Sequence, residues 1–277
     1  MDDFNQFRVK PDTKFKLRDV DPDCKGEHDN EQDALREIVA HATRLRELQE
    51  LLYAGHEQSL LICLQGMDAG GKDGTINHVL AAMNPQGCKV VSFKQPTPTE
   101  LDHDFLWRVH QHTPARAEVA VFNRSYYEDV LVARVHNLVP EKVWSKRYNQ
   151  INDFEKMLAK NGTHLLKFFL HISEDEQLRR FKERLDDPSK QWKISAADYT
   201  ERARWGDYIA AFEAVLSKCS TKAAPWFAIP ANHKWFRNLT VSRILVKYLE
   251  GLDMKYPPPT VNLDQIRRDY HEDKKNA

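Results

Sequence analysis

Apolar positions along the chain fall into two alternating patterns. Between residues 31 and 53, Leu35, Ile38, Val39, Ala42, Leu45, Leu48, Leu51 and Leu52 recur at helical spacing and predict an amphipathic helix. Residues 59–65 (Ser-Leu-Leu-Ile-Cys-Leu-Gln) are instead continuously apolar over a strand's length, as expected of a strand buried on both faces. The alternation continues. Strands are predicted at 89–94, 118–123, 164–172 and 226–229. Helices are predicted at 72–84, 99–112 (capped by Thr99), 125–135, 140–161, 174–185, 198–218 and 239–249. Residues 1–30 carry many charges and breaks at Pro11 and Pro22, which predict an irregular arm. Residues 256–277 are Pro-rich and then charged, a polar tail.

Strands alternating with helices imply an α/β fold, a parallel sheet flanked by helices with right-handed crossovers. Ligands in such folds bind beyond the carboxyl ends of the strands. Residues 66–73 (Gly-Met-Asp-Ala-Gly-Gly-Lys-Asp) lie at such an end and run into a helix. Strand, G-x-x-x-x-G-K, helix is the pattern of a phosphate loop. Its backbone N–H groups curl around a phosphate, helped by the positive end of the helix. Gly66, Ala69, Gly70, Gly71, Asp73 and Gly74 are the candidate loop contacts, and Lys72 is the point charge for the terminal phosphates. Asp73 stands where Ser or Thr usually holds magnesium. Metal coordination therefore moves onto Asp68, a hard oxygen ligand inside the loop, with Thr75 a weaker substitute.

The strand at 118–123 ends in Asn123 and continues Arg124-Ser125-Tyr126-Tyr127-Glu128. If the two strands are neighbours, Arg124 emerges beside the loop, placed to stabilise charge on a phosphoryl group in transfer. Ser125 reads equally well as a helix cap. In residues 179–193, Arg179, Arg180, Lys182, Arg184, Lys190 and Lys193 outnumber three acids. Arg180 and Arg184 are four apart and share a helix face. Helix, Pro-containing loop and helix is the layout of a lid, over about 179–205, that closes arginines over phosphate. The same run alone reads as a solvated helix face, and the phosphate loop tips the balance. Lys94, at a predicted strand end, extends the basic path.

Composition narrows the partners. The 277 residues carry 41 basic and 41 acidic side chains, a zero balance that argues against coating nucleic acid. No apolar run approaches the ~18–20 residues of a membrane span, and the start of the chain lacks a signal-peptide pattern. Cys24, Cys63, Cys88 and Cys219 are too scattered for a zinc site or disulfide framework, so reduced thiols in a cytoplasmic protein are expected.

Several motifs together closely resemble the polyphosphate kinase 2 family. They are residues 66–74, residues 122–130 (Phe-Asn-Arg-Ser-Tyr-Tyr-Glu-Asp-Val), Arg184 with Trp192 and Lys193, Leu106-Trp107-Arg108, and residues 229–235 (Ile-Pro-Ala-Asn-His-Lys-Trp). The resemblance runs over about residues 31–255. It implies a P-loop kinase fold with a helical lid, related to thymidylate kinases. It also implies magnesium-dependent phosphoryl transfer, with manganese as a possible replacement, between inorganic polyphosphate and adenine or guanine nucleotides. The family pattern puts Asp68 and Lys72 in the Walker A position and Arg124 after the Walker B strand. Many members carry Asp at 123 and Asn at 128. Asn123 and Glu128 here resemble the subgroup that phosphorylates both nucleoside mono- and diphosphates, which assigns both to the acceptor nucleotide. A homo-oligomer, dimer or tetramer, is implied as well. Two alternatives stand beside this reading: a thymidylate- or nucleoside-type kinase using ATP, and a non-catalytic polyphosphate or nucleotide sensor. Asp68, Lys72 and Arg124 together favour an active enzyme.

Overall fold

The structure, a computed structural model, describes residues 3–28 and 30–276. Met1, Asp2 and Asp29 of the expected arm, and Ala277 of the expected tail, lie outside the described residues. Five parallel strands form one sheet: β1 (Ser59–Gly66), β2 (Cys88–Ser92), β3 (Val119–Asn123), β4 (Thr163–His171) and β5 (Trp226–Pro230), in the order β2-β3-β1-β4-β5. Helices α1 (Asp3–Gln6), α2 (Glu31–Gly55), α3 (Lys72–Val79), α4 (Pro98–Leu101), α5 (Trp107–His110), α6 (Val132–Val135) and α7 (Glu141–Lys160) come from the first half of the chain. Helices α8 (Glu174–Asp186), α9 (Ala196–Arg202), α10 (Trp205–Cys219), α11 (Lys234–Glu250) and α12 (Leu263–Asn276) complete it. The central strands are buried along almost their whole length, as their continuous apolar sequences require. Chain order reverses at β1, with β3 on one side and β4 on the other. The ends of β1, β2 and β3 are level, because Leu64 pairs with Asn123 and Asn123 with Ser92. This is the switch point at which doubly wound sheets open a crevice.

Several expected helices are shorter, for local reasons. The 99–112 helix is two pieces. Thr97, not Thr99, caps the first through a capping box with Glu100, and Asp104 accepts from the Leu106 N–H before the second. The 125–135 helix is a 3₁₀ turn at Tyr126–Asp129 followed by α6. The 72–84 helix stops at Val79 and tightens into a 3₁₀ turn, and 198–218 breaks between α9 and α10. The arm is less irregular than expected. Phe7 and Val9 bond to β5 through the Phe7 carbonyl with the Ala228 N–H and the Val9 N–H with the Trp226 carbonyl, 2.9 Å each, covering that sheet edge. The tail is not wholly irregular either, since it folds as α12. Among the described residues no helix is long and apolar enough to cross a membrane.

A buried polar network fixes the turn after β3. The Lys167 ammonium on β4 donates to Glu155 Oε2 on α7 at 2.5 Å, to the Cys219 carbonyl at 2.7 Å and to the Tyr127 hydroxyl at 3.0 Å. Tyr126 and Tyr127 both donate their hydroxyls to Glu155 Oε1, at 2.8 and 2.7 Å. A buried ion pair adds little net stability but cannot lose one partner cheaply. Glu155→Ala should destabilise the fold by about 3–5 kcal/mol in a urea melt. A loss below 1 kcal/mol would show that the network does not hold this turn.

Candidate active site

The loop after β1 takes its shape from where its carbonyls point. Lys72 Nζ donates to the Gly66 carbonyl at 2.8 Å and to that of Met67 at 3.2 Å. Gln177 Nε2 donates to the Asp68 carbonyl at 2.9 Å, and Arg180 Nη1 to the Ala69 carbonyl at 2.8 Å. Four consecutive carbonyls are thus held by side chains. Ala69 and Gly71 have left-handed backbones, at φ 60° and 104°. The first N–H groups of α3 lack intrahelical partners and carry the positive end of its dipole. Such a loop has the shape and polarity to cradle an anion.

Arg124 sits across from it. It too has a left-handed backbone, at φ 61°, held by its N–H bond to the Leu64 carbonyl at 3.1 Å. Its guanidinium donates to Asp68 Oδ1 at 2.7 Å and to Glu128 Oε2 at 3.3 Å. Burial opposes its charge, but Glu128 and Asp68 outweigh burial and hold its pKa above the ordinary value. Arg124 and Glu128 thus pair four residues apart, with a 3₁₀ turn and not an α-helix carrying the contact. Asn123 donates its amide to Asp73 Oδ1 at 2.7 Å, tying the end of β3 to the start of α3. Ser125 does act as a cap, accepting from the Tyr127 N–H.

Two cavities meet at this point. A cleft of about 890 Å³ runs from the loop past Lys94 and Arg124 to Arg184, Lys190 and Lys193. A small cavity of about 30 Å³ lies on the other side of Arg124 and Asp68, with Leu131, Val132 and Phe212 as apolar walls and Glu128 and Glu201 as polar ones. The expected lid pair is split. Arg184 stays with the expected lid segment, donating to the Lys193 carbonyl at 2.9 Å beside Asp198 of α9. Arg180 does not: it is buried and fixed by Glu176 Oε1 and by the carbonyls of Ala69, Ala231 and Asn232. Helical spacing put the two on one face but could not show that loop carbonyls consume the first. Sequence reasoning also passed over Gln177 and Arg237, which contact the loop from α8 and α11. Neither lies in a phosphate-loop pattern, although 237 follows the motif at 229–235.

Among the described residues no cluster of three or more His, Cys, Asp or Glu side chains is arranged to hold a metal ion. A magnesium ion needs no such cage, since it takes one or two carboxylates and fills its shell with phosphate and water. Asp68 fits that use, because one oxygen engaged by Arg124 leaves further lone pairs on the carboxylate.

The polyphosphate kinase 2 (PPK2) family model matches residues 27–257. The chain belongs to the polyphosphate kinase 2 family. It is 52% identical over 262 residues to the AMP/ADP-polyphosphate phosphotransferase of Meiothermus ruber, covering 94% of this chain and 98% of that one. It is 46% identical over 272 residues to the ADP-polyphosphate phosphotransferase of Rhodopseudomonas palustris, covering 92% of each. Among solved structures, polyphosphate kinase 2 from Arthrobacter aurescens TC1 superposes with a TM-score of 0.94 at 42% identity, over 98% of this chain and 97% of that one. In this polyphosphate kinase 2 family member the family-model match spans the loop after β1, Arg124 and both cavities.

Lys72 has a charge state that can be tested. Burial first, then the Arg124 charge, push its ammonium down to about 8, against the opposing pull of Asp68, Glu128 and Asp73. A cation with a lowered pKa is lost as pH rises through the folded value, here from about 8 upward, below the unfolded value of 10.5. Binding of inorganic tripolyphosphate should therefore weaken from pH 8 to 9.5 relative to Lys72→Arg, whose guanidinium stays charged. Ionisation of the ligand is common to both proteins. Parallel calorimetric affinity curves for the two would contradict the assignment.

Proposed function

We propose that the protein transfers a phosphoryl group between inorganic polyphosphate and nucleoside mono- and diphosphates, taking AMP to ADP and ADP to ATP. The observation that carries this reading is the meeting of two unlike cavities at Arg124 and Asp68. The long cleft is lined by lysines and arginines and suits a polyanion. The small cavity holds only a water or two, but Glu128 and Glu201 set hydrogen-bond acceptors for a nucleoside beside Arg124. Family membership and the names of the similar proteins support the same reading.

In this mechanism the loop N–H groups and Lys72 hold the donor phosphates, while Arg124 faces the phosphoryl group between the cavities. Phosphoryl transfer asks mainly for alignment and charge neutralisation, which fixed groups supply without reorganising. Asp68 would hold a magnesium ion, or manganese in its place; such an ion neutralises phosphate charge when bound. Gly66, Ala69, Gly70, Gly71, Asp73 and Gly74 shape the donor site. Lys94, Arg184 and Lys193 carry it along the cleft. Arg180 serves it through the Ala69 carbonyl. Asn123 holds Asp73, and Glu128 faces the acceptor. The kinase unit at 31–255, with its lid at about 179–205 redrawn to begin after Arg180, is part of the same proposal. So are a cytoplasmic setting and a homo-oligomer, a dimer or tetramer. Leu263, Ile266 and Tyr270, exposed at helical spacing on α12, support subunit contact.

Purified protein with divalent metal, polyphosphate and AMP, and no other donor, should yield ADP and then ATP. Absence of any phosphorylated product would overturn the reading. Lys72→Ala and Asp68→Ala should each lower the rate by at least ~10²-fold with the fold intact by circular dichroism, since both remove charge stabilisation felt mainly in the transition state. Near-normal turnover in either folded variant would remove that residue from the site. Glu128→Asn should lower turnover of AMP more than that of ADP. A carboxylate beside Arg124 repels a second acceptor phosphate and accepts hydrogen bonds from a nucleoside. An unchanged AMP-to-ADP ratio would leave Glu128 as a surface partner of Arg124.

A further inference from the structure

Arg237 of α11 is 2% exposed, and its guanidinium lies directly behind the phosphate loop. A Cβ at Gly71 would overlap it, and one at Gly74 would lie 2.9 Å from Nη2. The two glycines that open and line the first turn of α3 are therefore the window through which a cation reaches the loop. Among the described residues the guanidinium donates only to Asn238 Oδ1, from Nε at 3.1 Å and Nη2 at 2.8 Å. Among the described residues it forms no ion pair with a carboxylate. Its near neighbour in charge is another cation, Arg180, whose own carboxylate partner is Glu176. Burial first and Arg180 second push the Arg237 pKa down to about 9. A buried charge without a counter-ion is costly, and natural folds seldom keep one. Yet Arg237 also lines the long cleft, together with Lys72, Arg124 and Arg180.

We propose that Arg237 is an anion-binding residue of the cleft, a guanidinium held without a protein counter-charge so that oligophosphate seated on the loop supplies it. This rests on the phosphate reading of the cleft given above. The ligand chemistry is a chain of phosphoanhydride-linked phosphates, from inorganic polyphosphate or from the phosphates of a nucleotide. Arg180 organises the loop through its carbonyl. Arg237 instead acts on the ligand by charge, past the backbone of Gly71 and Gly74, which put no side chain in its way. The arrangement explains why Gly71 and Gly74 are glycines beyond the needs of the loop itself: a side chain at either would displace the cation.

A purely structural arginine and an anion-binding one respond oppositely to Arg237→Met, which keeps most of the packing and deletes the charge. The test follows thermal unfolding of the full chain, alone, with tripolyphosphate and with ADP, over a range of salt. For Arg237→Met the unliganded protein should melt no lower than wild type, because an unpaired buried charge has been removed. Its affinity for the ligand that occupies the loop should fall about tenfold, as expected for one unit charge acting across a partly buried site. The slope of log affinity against log salt should lessen by about one. Arg237→Lys, which keeps a cation, should recover part of the ligand response. The tripolyphosphate and ADP arms show which source supplies the anion. An unliganded variant that melts well below wild type, or fails to fold, would mark Arg237 as a packing residue and overturn the proposal. So would unchanged affinity and salt slope for both ligands. Wild type that responds to neither ligand would overturn the phosphate reading of the cleft and the role of Arg237 with it.

Discussion

The site depends on capture of the carbonyls of the phosphate loop. A loop that binds anions must turn its N–H groups inward, which forces its carbonyls outward into the protein, where they need donors. Lys72 serves Gly66 and Met67, Gln177 serves Asp68, and Arg180 serves Ala69. Two of these donors stand on α8, so the helix after β4 is as much part of the loop as the helix after β1. The strained backbones of Ala69 and Arg124 persist because these bonds over-determine them.

Charge follows from the same arrangement. Lys72, half-buried, and Arg180 and Arg237, buried, surround one loop, and desolvation lowers the pKa of each. Of the three, Arg180 alone has a close carboxylate partner among the described residues, Glu176. Around Arg124 the balance is reversed, because Asp68 and Glu128 hold it charged and point it between the two cavities. A cleft rich in cations thus adjoins a small cavity that carries carboxylates. That polarity suits moving a phosphoryl group from a polyanion to a nucleotide.

Much of this was legible in the sequence, for physical reasons. Parallel strands buried on both faces are continuous apolar runs, so the inner strands could be read, and the edge strand β2, half-exposed, was read from its short Val-Val core. A phosphate loop is a local motif, so Asp68 and Lys72 could be placed from spacing. Arg124 followed from its position one residue beyond a strand, and the structure brings it to Asp68. The misreadings concern groups whose role is set by distant chain. Arg180 was grouped with Arg184 by helical period, but the carbonyls it serves belong to residues 69, 231 and 232. Arg237 lies before the helix predicted at 239–249, on a first turn of α11 that was not foreseen, and its approach to Gly71 and Gly74 reveals it. Helix ends were missed where a side chain caps the backbone earlier than the apolar period suggests, as Thr97 does.

The central claim is that the loop is already held in its anion-binding shape before any ligand arrives. Backbone ¹⁵N relaxation of Ala69, Gly70 and Gly71 in the ligand-free protein tests it directly. The account predicts order parameters near ~0.85, equal to those of β1 and little changed by tripolyphosphate. Values below ~0.6 that rise on binding would contradict it, because the ligand and not the buried side chains would then be shaping the loop.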